Sequence, residues 1–158
     1  MKRRSWLLGV LAISLAGCAT VGPPQSVTDI LAREPELSTL DKLVKDAGLT
    51  STLNGPGPFT IFAPTNAAFS KVPAKTMDEL AKDPKRLQDV LTYHVLPAKA
   101  MAKDVKPGSA KTMQGGNVSL GSTAGYVNVE GALVTKADLT AANGVVHVID
   151  SVLLPPSR

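Results

Sequence analysis

Apolar residues recur every three or four positions in the first half of this 158-residue chain, a spacing typical of amphipathic helices. Capping residues and helix-stop residues divide this half into separate segments. We predict four short helices: one capped by Ser26 with Asp29, one over residues 37–47 stopped by Gly48, one with Thr76 and Glu79 at capping-box spacing, and one opened by Asp83-Pro84. Thr65 is predicted to cap a further short helix that places Phe69 on the core. The first half is therefore predicted to be mainly helical.

Strands are predicted within and after this helical half. Residues 59–63 are β-branched or aromatic and apolar on both faces, which favours a central strand. Asn143-Gly144 is typical of a tight turn, because both residues tolerate positive φ. Further β-prone runs, separated by glycines, lie at residues 118–120, 126–130, 132–137 and 145–154. Helices followed by strands predict an α+β domain.

The net charge argues against a nucleic-acid partner once the N-terminus is set apart. The chain has 17 Lys and Arg against 13 Asp and Glu, a formal charge of +4. Three of these cations, Lys2, Arg3 and Arg4, lie in a leader, and removing them leaves 14 against 13, or +1. Binding to phosphates needs several clustered cations, and aromatic residues are only 4% of the chain.

The first 18 residues have the three regions of a secretory signal peptide. A cationic start is followed by a short apolar run over residues 6–15, too short to span a membrane as a helix. Leu15-Ala16-Gly17-Cys18 resembles the bacterial lipobox, which implies that the Cys18 thiol carries diacylglycerol and fatty acid, such as palmitate, after cleavage. Cys18 is the chain's one cysteine, so no intramolecular disulfide is possible.

The residues after the lipobox predict a lipid-anchored protein of the cell envelope. Residues 19–25 are rich in Gly and Pro and read as a tether, which spans at most about 25 Å when extended. Position 19 is Ala, not the Asp that retains some bacterial lipoproteins at the inner membrane. We therefore expect the outer membrane, facing the periplasm or the cell surface, in preference to the inner membrane.

Three motifs in order resemble the signatures of the fasciclin domain family. They are Phe-Thr-Ile-Phe-Ala-Pro-Thr-Asn-Ala-Ala-Phe at 59–69, Tyr-His-Val-Leu-Pro at 93–97, and Asn-Gly-Val-Val-His-Val-Ile-Asp-Ser-Val-Leu-Leu-Pro at 143–155. The resemblance covers residues 26–155. It implies a wedge of about seven mostly antiparallel strands with a helical layer, and a role in extracytoplasmic adhesion or protein binding without catalysis.

The resemblance also implies candidate partner-binding residues. In animal members, integrin recognition is associated with the Tyr-His region and with an Asp-Ile pair, which correspond here to Tyr93, His94, Asp138 and Leu139. Lys136 and Ala137 replace an acidic residue and a proline of the best-matched version, so the partner stays open: an envelope or extracellular protein, or a polysaccharide. We expect an exposed Asp138 carboxylate, and Leu139 either anchoring a partner or folded inward.

The histidines are expected to support the fold, and no cofactor or metal site is predicted. His94 follows Leu87, Val90 and Leu91 at helical spacing, and His147 lies in an apolar run, so buried rings bonded to the backbone are expected. Two histidines without a spare cysteine do not make a zinc site, and no Gly-x-Ser-x-Gly elbow is present.

Two other functions and one cationic segment stay open from the residues alone. A periplasmic carrier of a small apolar or glycan ligand would need an apolar pocket of roughly several hundred cubic ångströms beside the sheet. A hydrolase would need a Ser or Asp within hydrogen-bond distance of His94 or His147 in an open cleft. The last feature is a predicted loop that is either a solvated surface or a contact for anionic headgroups or polysaccharide, and it contains Lys99, Lys103, Lys106 and Lys111.

Overall fold

The helical part of the chain forms six α-helices in a computed structural model that describes residues 26–123 and 126–156. The predicted signal peptide, the lipobox cysteine and the tether, residues 1–25, lie outside the described residues. Helix α3 was not predicted, whereas the short helix that Thr65 was predicted to cap is confirmed as α4. The helices are α1 (Val27–Arg33), α2 (Ser38–Asp46), α3 (Thr50–Leu53), α4 (Asn66–Ser70), α5 (Ala74–Lys82) and α6 (Pro84–Tyr93).

The helix starts follow their capping residues at two of the predicted positions. Ser26 and Asp29 form a reciprocal capping box at α1, and the Asp83 carboxylate accepts two backbone N–H bonds at α6, with Pro84 in the first turn. The predicted capping box at Thr76 is wrong. Helix α5 begins at Ala74 without a side-chain cap, because the extended Pro73 sets its start and places Thr76 inside the first turn.

Seven strands form one sheet in the order β2-β1-β7-β6-β5-β4-β3. Neighbouring strands are antiparallel except β1 and β7, which run parallel. The predicted α+β fold with seven mostly antiparallel strands is thus confirmed. The strands are β1 (Phe59–Pro64), β2 (Val95–Leu96), β3 (Gly108–Lys111), β4 (Asn117–Thr123), β5 (Tyr126–Val129), β6 (Ala132–Ala141) and β7 (Gly144–Ile149).

Two apolar cores lie on opposite faces of the central strands. Ile61 of β1 and Val146 of β7 pack with the helices in the first core, whereas Phe62 and Ile149 pack with β4, β5 and β6 in the second. The sheet curls until the Met113 N–H, just beyond β3, donates to the carbonyl of β2 residue Val95 at 2.8 Å. This near closure explains why β1 is buried on both faces, as its sequence predicts.

A tight turn at Ala142 and Asn143 joins β6 to β7, so the predicted turn is present, but it does not use the positive φ expected of Asn143-Gly144. Gly144 already pairs with Ala141 in the ladder, and neither Asn143 nor Gly144 has a positive φ. Positive φ occurs instead at both Glu130 and Gly131, 52° and 86°, in the turn between β5 and β6. Gly144 is required for close approach, because a Cβ there would lie 2.2 Å from the Phe59 carbonyl oxygen.

The Asn143 side chain ties the N-terminal helices to the sheet. Its Oδ1 accepts from the Val27 N–H at 2.9 Å, and its Nδ2 donates to the carbonyl oxygens of Leu53 and Gly55 at 2.8 and 3.1 Å. The start of α1 is thereby fixed at the end of the sheet where β6 turns into β7. This contact fixes the first described residues at that end of the sheet.

Candidate interaction site

Tyr93 ends α6 and points its ring into the second core. The side chain is buried, and its hydroxyl donates to the Asn117 carbonyl oxygen at 2.8 Å. Burial, with a smaller contribution from the nearby Glu130 carboxylate, raises the pKa of the Tyr93 hydroxyl above its usual 10.0. The ring therefore stays neutral and joins α6 to β4.

His94 is buried and bonded to the backbone on both ring nitrogens. Nδ1 donates to the Val90 carbonyl oxygen at 2.7 Å, and Nε2 accepts from the Leu153 N–H at 2.9 Å, which defines the neutral tautomer. Burial lowers the pKa of the His94 ring from 6.5 to about 4, although the bond to Val90 opposes the shift. The expected burial and backbone bonding of this ring are confirmed, and its bond to Leu153 joins α6 to the C-terminal segment after β7.

His147 lies at the centre of a second set of backbone bonds. Its Nε2 donates to the Ala100 carbonyl oxygen at 2.7 Å, and its Nδ1 accepts from the Asp138 N–H at 3.2 Å. The ring is 1% exposed and stacks on Phe62 with centroids 5.7 Å apart. It therefore joins β7 to β6 and to the segment that follows β2, which confirms that this ring, too, is buried and bonded to the backbone.

Asp138 lies inside β6, at an irregularity in the pairing of this strand. The pairing of β6 with β7 shifts register between Lys136 and Leu139, and Asp138 has a φ of 59°. Its Oδ1 accepts from the Ala102 N–H at 2.8 Å, and the residue is half-buried. The expectation of a freely exposed carboxylate is corrected, because the bulge turns this side chain towards a neighbouring segment.

That segment, residues 97–107, is called the crossing loop here because it runs across β1, β7 and β6. The buried Thr60 hydroxyl donates to the Ala98 carbonyl oxygen at 2.7 Å and accepts from the Ala100 N–H at 2.8 Å. With His147 and Asp138, three side chains from three strands therefore bind the loop backbone. Sequence reasoning missed Thr60, although a hydroxyl in a strand buried on both faces needs a partner.

Leu139 folds partly inward, the second of its two expected placements. It packs against the first core and also lines a shallow surface groove. Tyr93 and His94 are buried elsewhere, so the structure does not bring all four sequence-predicted residues to one surface. The groove has a volume of about 410 Å³ and is lined by Ile30, Arg33, Glu34, Asp138, Leu139 and Thr140.

The Fasciclin domain model matches residues 35–155, more than half of the chain. The protein belongs to the fasciclin domain family. A cyanobacterial relative, protein sll1483 of Synechocystis, is 40% identical over 87% of this chain and 78% of its own length. The cell surface glycolipoprotein MPB83 of Mycobacterium bovis is 39% identical over 92% of this chain and 66% of its own length.

Longer animal proteins contain related fasciclin domains. The transforming growth factor-beta-induced protein ig-h3 of Sus scrofa is 34% identical over 84% of this chain, which spans 20% of that protein. A solved FAS1 domain pair from the insect cell adhesion molecule fasciclin I superposes with a TM-score of 0.68 at 21% identity. The match covers 84% of this chain and 52% of the insect chain, and it confirms the fold.

The bonds of the two histidines and the volumes of the cavities bear on the two alternative functions. All four ring nitrogens of His94 and His147 are bonded to backbone groups, so neither ring has a Ser or Asp side chain as partner among the described residues. The apolar cavity beside Ile61 and Leu91 has a volume of about 10 Å³, too small for a carried ligand. A larger surface cleft of about 750 Å³ lies beside Leu80 and Val90, and its lining includes charged side chains as well as apolar ones.

Within the described parts of the chain, no helix combines the length and apolar character needed to cross a bilayer.

Proposed function

We propose that this protein is a lipid-anchored, extracytoplasmic interaction module that acts without catalysis. The observation that carries the proposal is the order of two features: a lipobox-like Leu15-Ala16-Gly17-Cys18 precedes a fasciclin domain. A relative that is 39% identical, MPB83, is a cell surface glycolipoprotein, which supports both the envelope location and the anchor. Two acyl chains or more give stable membrane attachment, whereas one does not.

We expect Cys18→Ala to abolish incorporation of radioactive palmitate during growth, because no other thiol in the chain can receive the lipid. Ser14→Ala is the matched control: it changes the leader one residue before the lipobox and should label like the wild type. Envelope fractionation should place the labelled protein in the outer membrane, since Ala19 is not the retaining Asp. Equal labelling of the Cys18→Ala and wild-type proteins would contradict the anchor.

The proposed partner-binding edge is the groove beside Asp138 and Leu139. Among the described residues, the second carboxylate oxygen of Asp138 forms no hydrogen bond or ion pair, and Leu139 adds apolar surface to the groove. Lys136 lies near the groove and pairs with Glu34 and Glu36 at 3.3 and 3.0 Å. Tyr93 and His94 contribute by holding the fold, not by direct contact.

Asp138→Asn tests this edge because it removes the negative charge and keeps the size and shape of the side chain. Asn tolerates positive φ, and its Oδ1 still accepts from the Ala102 N–H, so the unfolding midpoint should change little. Affinity for a partner captured from envelope extract should fall by about 1 kcal/mol or more when measured by surface plasmon resonance. The matched control is Asp46→Asn, which removes the same charge from an exposed position on α2.

Two results with these variants would contradict the proposed binding edge. If Asp138→Asn binds the captured partner as tightly as the wild type does, the groove is not the contact surface. If Asp46→Asn weakens binding as much as Asp138→Asn does, the effect comes from net charge and not from this edge.

A further inference from the structure

The crossing loop concentrates positive charge on an otherwise balanced domain. It contains the exposed side chains Lys99, Lys103 and Lys106 against a single acidic residue, the exposed Asp104, which gives a net charge of +2. The chain without its leader carries +1, so the remainder carries −1. Within residues 26–123 and 126–156, none of these three ammonium groups forms an ion pair.

The loop lies near the end of the sheet from which the tether extends. At this end, the Val27 N–H donates to the Asn143 side chain. Gly144, which follows Asn143 in the chain, pairs with Phe59 at the start of β1. One residue along β1, Thr60 binds the backbone on both sides of Lys99. His147 is three residues beyond Gly144, so the loop crosses the sheet within about 10 Å of that end.

The same bonds hold the loop in one conformation. Its backbone is bound by the buried side chains of Thr60 and His147 and by the Asp138 carboxylate. Backbone groups of Ala98, Ala100 and Ala102 are thus directed towards the sheet, and the lysine side chains are exposed. A surface that meets the loop therefore encounters positive charge without a large cost of ordering the backbone.

We propose that the crossing loop is a second membrane contact, in which Lys99, Lys103 and Lys106 bind the anionic headgroups of phospholipids. The proposal builds on the lipid anchor of the proposed function. A tether of seven residues keeps the start of α1 within about 25 Å of the lipidated cysteine, so the loop samples the membrane surface at high effective concentration. The contact orients the domain relative to the membrane.

The test uses the chain from Ala19 onward, which carries no lipid. We would measure its partitioning into sedimented vesicles of equal phosphatidylglycerol and phosphatidylcholine at about 20 mM salt, where screening is weak. A triple variant should have a partition coefficient at least about tenfold lower, because each lysine near an anionic surface adds substantially to the free energy of binding. This variant combines Lys99→Gln, Lys103→Gln and Lys106→Gln. Vesicles of phosphatidylcholine alone should bind neither protein.

A variant with the same net charge is the matched control. Lys42→Gln, Lys82→Gln and Lys85→Gln remove three exposed lysines from the helices, and this triple variant should partition within about twofold of the wild type. Both triple variants should unfold at the same urea midpoint as the wild type, because the lysine side chains that they replace form no hydrogen bond or ion pair with the described residues.

Three results would overturn the proposal. One is the absence of wild-type binding to the anionic vesicles, and another is an equal loss in the two triple variants. The third is lysine-dependent binding to a soluble anionic polysaccharide that exceeds binding to the vesicles. Because the chain tested has no acyl group, failure here leaves palmitate labelling of Cys18 unaffected, and failure of that labelling leaves this result unchanged.

Discussion

Replacing His147 with alanine is expected to lower the free energy of unfolding by about 3 to 5 kcal/mol, a large part of a typical domain's stability. The change removes a fully buried ring that stacks on Phe62 and leaves a cavity. It also leaves the Ala100 carbonyl oxygen and the Asp138 N–H without their partner. Each buried group that loses its hydrogen bond adds about 1 to 3 kcal/mol to the cost.

Urea unfolding at pH 7 measures this effect, and His147→Gln is the comparison variant. A Gln amide can donate to the Ala100 carbonyl oxygen and accept from the Asp138 N–H, but it does not stack on Phe62. We therefore expect Gln to recover part of the loss. A His147→Ala midpoint close to that of the wild type, together with weaker partner binding, would show that His147 serves recognition and not stability.

Strand β1 was predictable, whereas two other strands were not, for identifiable physical reasons. In β1 the residues of both faces are apolar, so the strand signal does not depend on what covers it. Strand β2 has two residues, too few to show a two-residue period, and β3 reads Gly-Ser-Ala-Lys, with little intrinsic β propensity. Strand β3 forms because it pairs with β4, a contact that local sequence does not encode.

In the candidate site, too, some features follow from the neighbouring sequence and others from contacts with residues distant along the chain. The burial of His94 follows from its helical spacing behind Leu91, which the sequence displays. The role of Asp138 depends on a bulge that interrupts the alternation of β6 and on a loop 36 residues away. The family motif identified the residue, but only the structure shows that its carboxylate binds the crossing loop.

The stability of the domain is expected to fall by about 2 kcal/mol between pH 7 and pH 5 because of His94. The pKa of the folded ring is about 4, below its ordinary 6.5, so the unfolded chain binds the additional proton as the pH falls through 6.5. The stabilisation is fully present above pH 6.5 and is lost progressively down to about pH 4. Few carboxylates titrate above pH 5, which isolates the histidine contribution.

The expected readout is a lower urea midpoint for the wild type at pH 5 than at pH 7, with a smaller difference for His94→Gln, whose amide does not titrate. Protonation of the ring would remove the acceptor of the Leu153 N–H and place a charge in a buried site. The C-terminal segment after β7 should therefore lose hydrogen-exchange protection first as the pH falls. An NMR titration in which the His94 ring of the folded wild type protonates near pH 6.5 would contradict this account, since the ring would then have to be open to water.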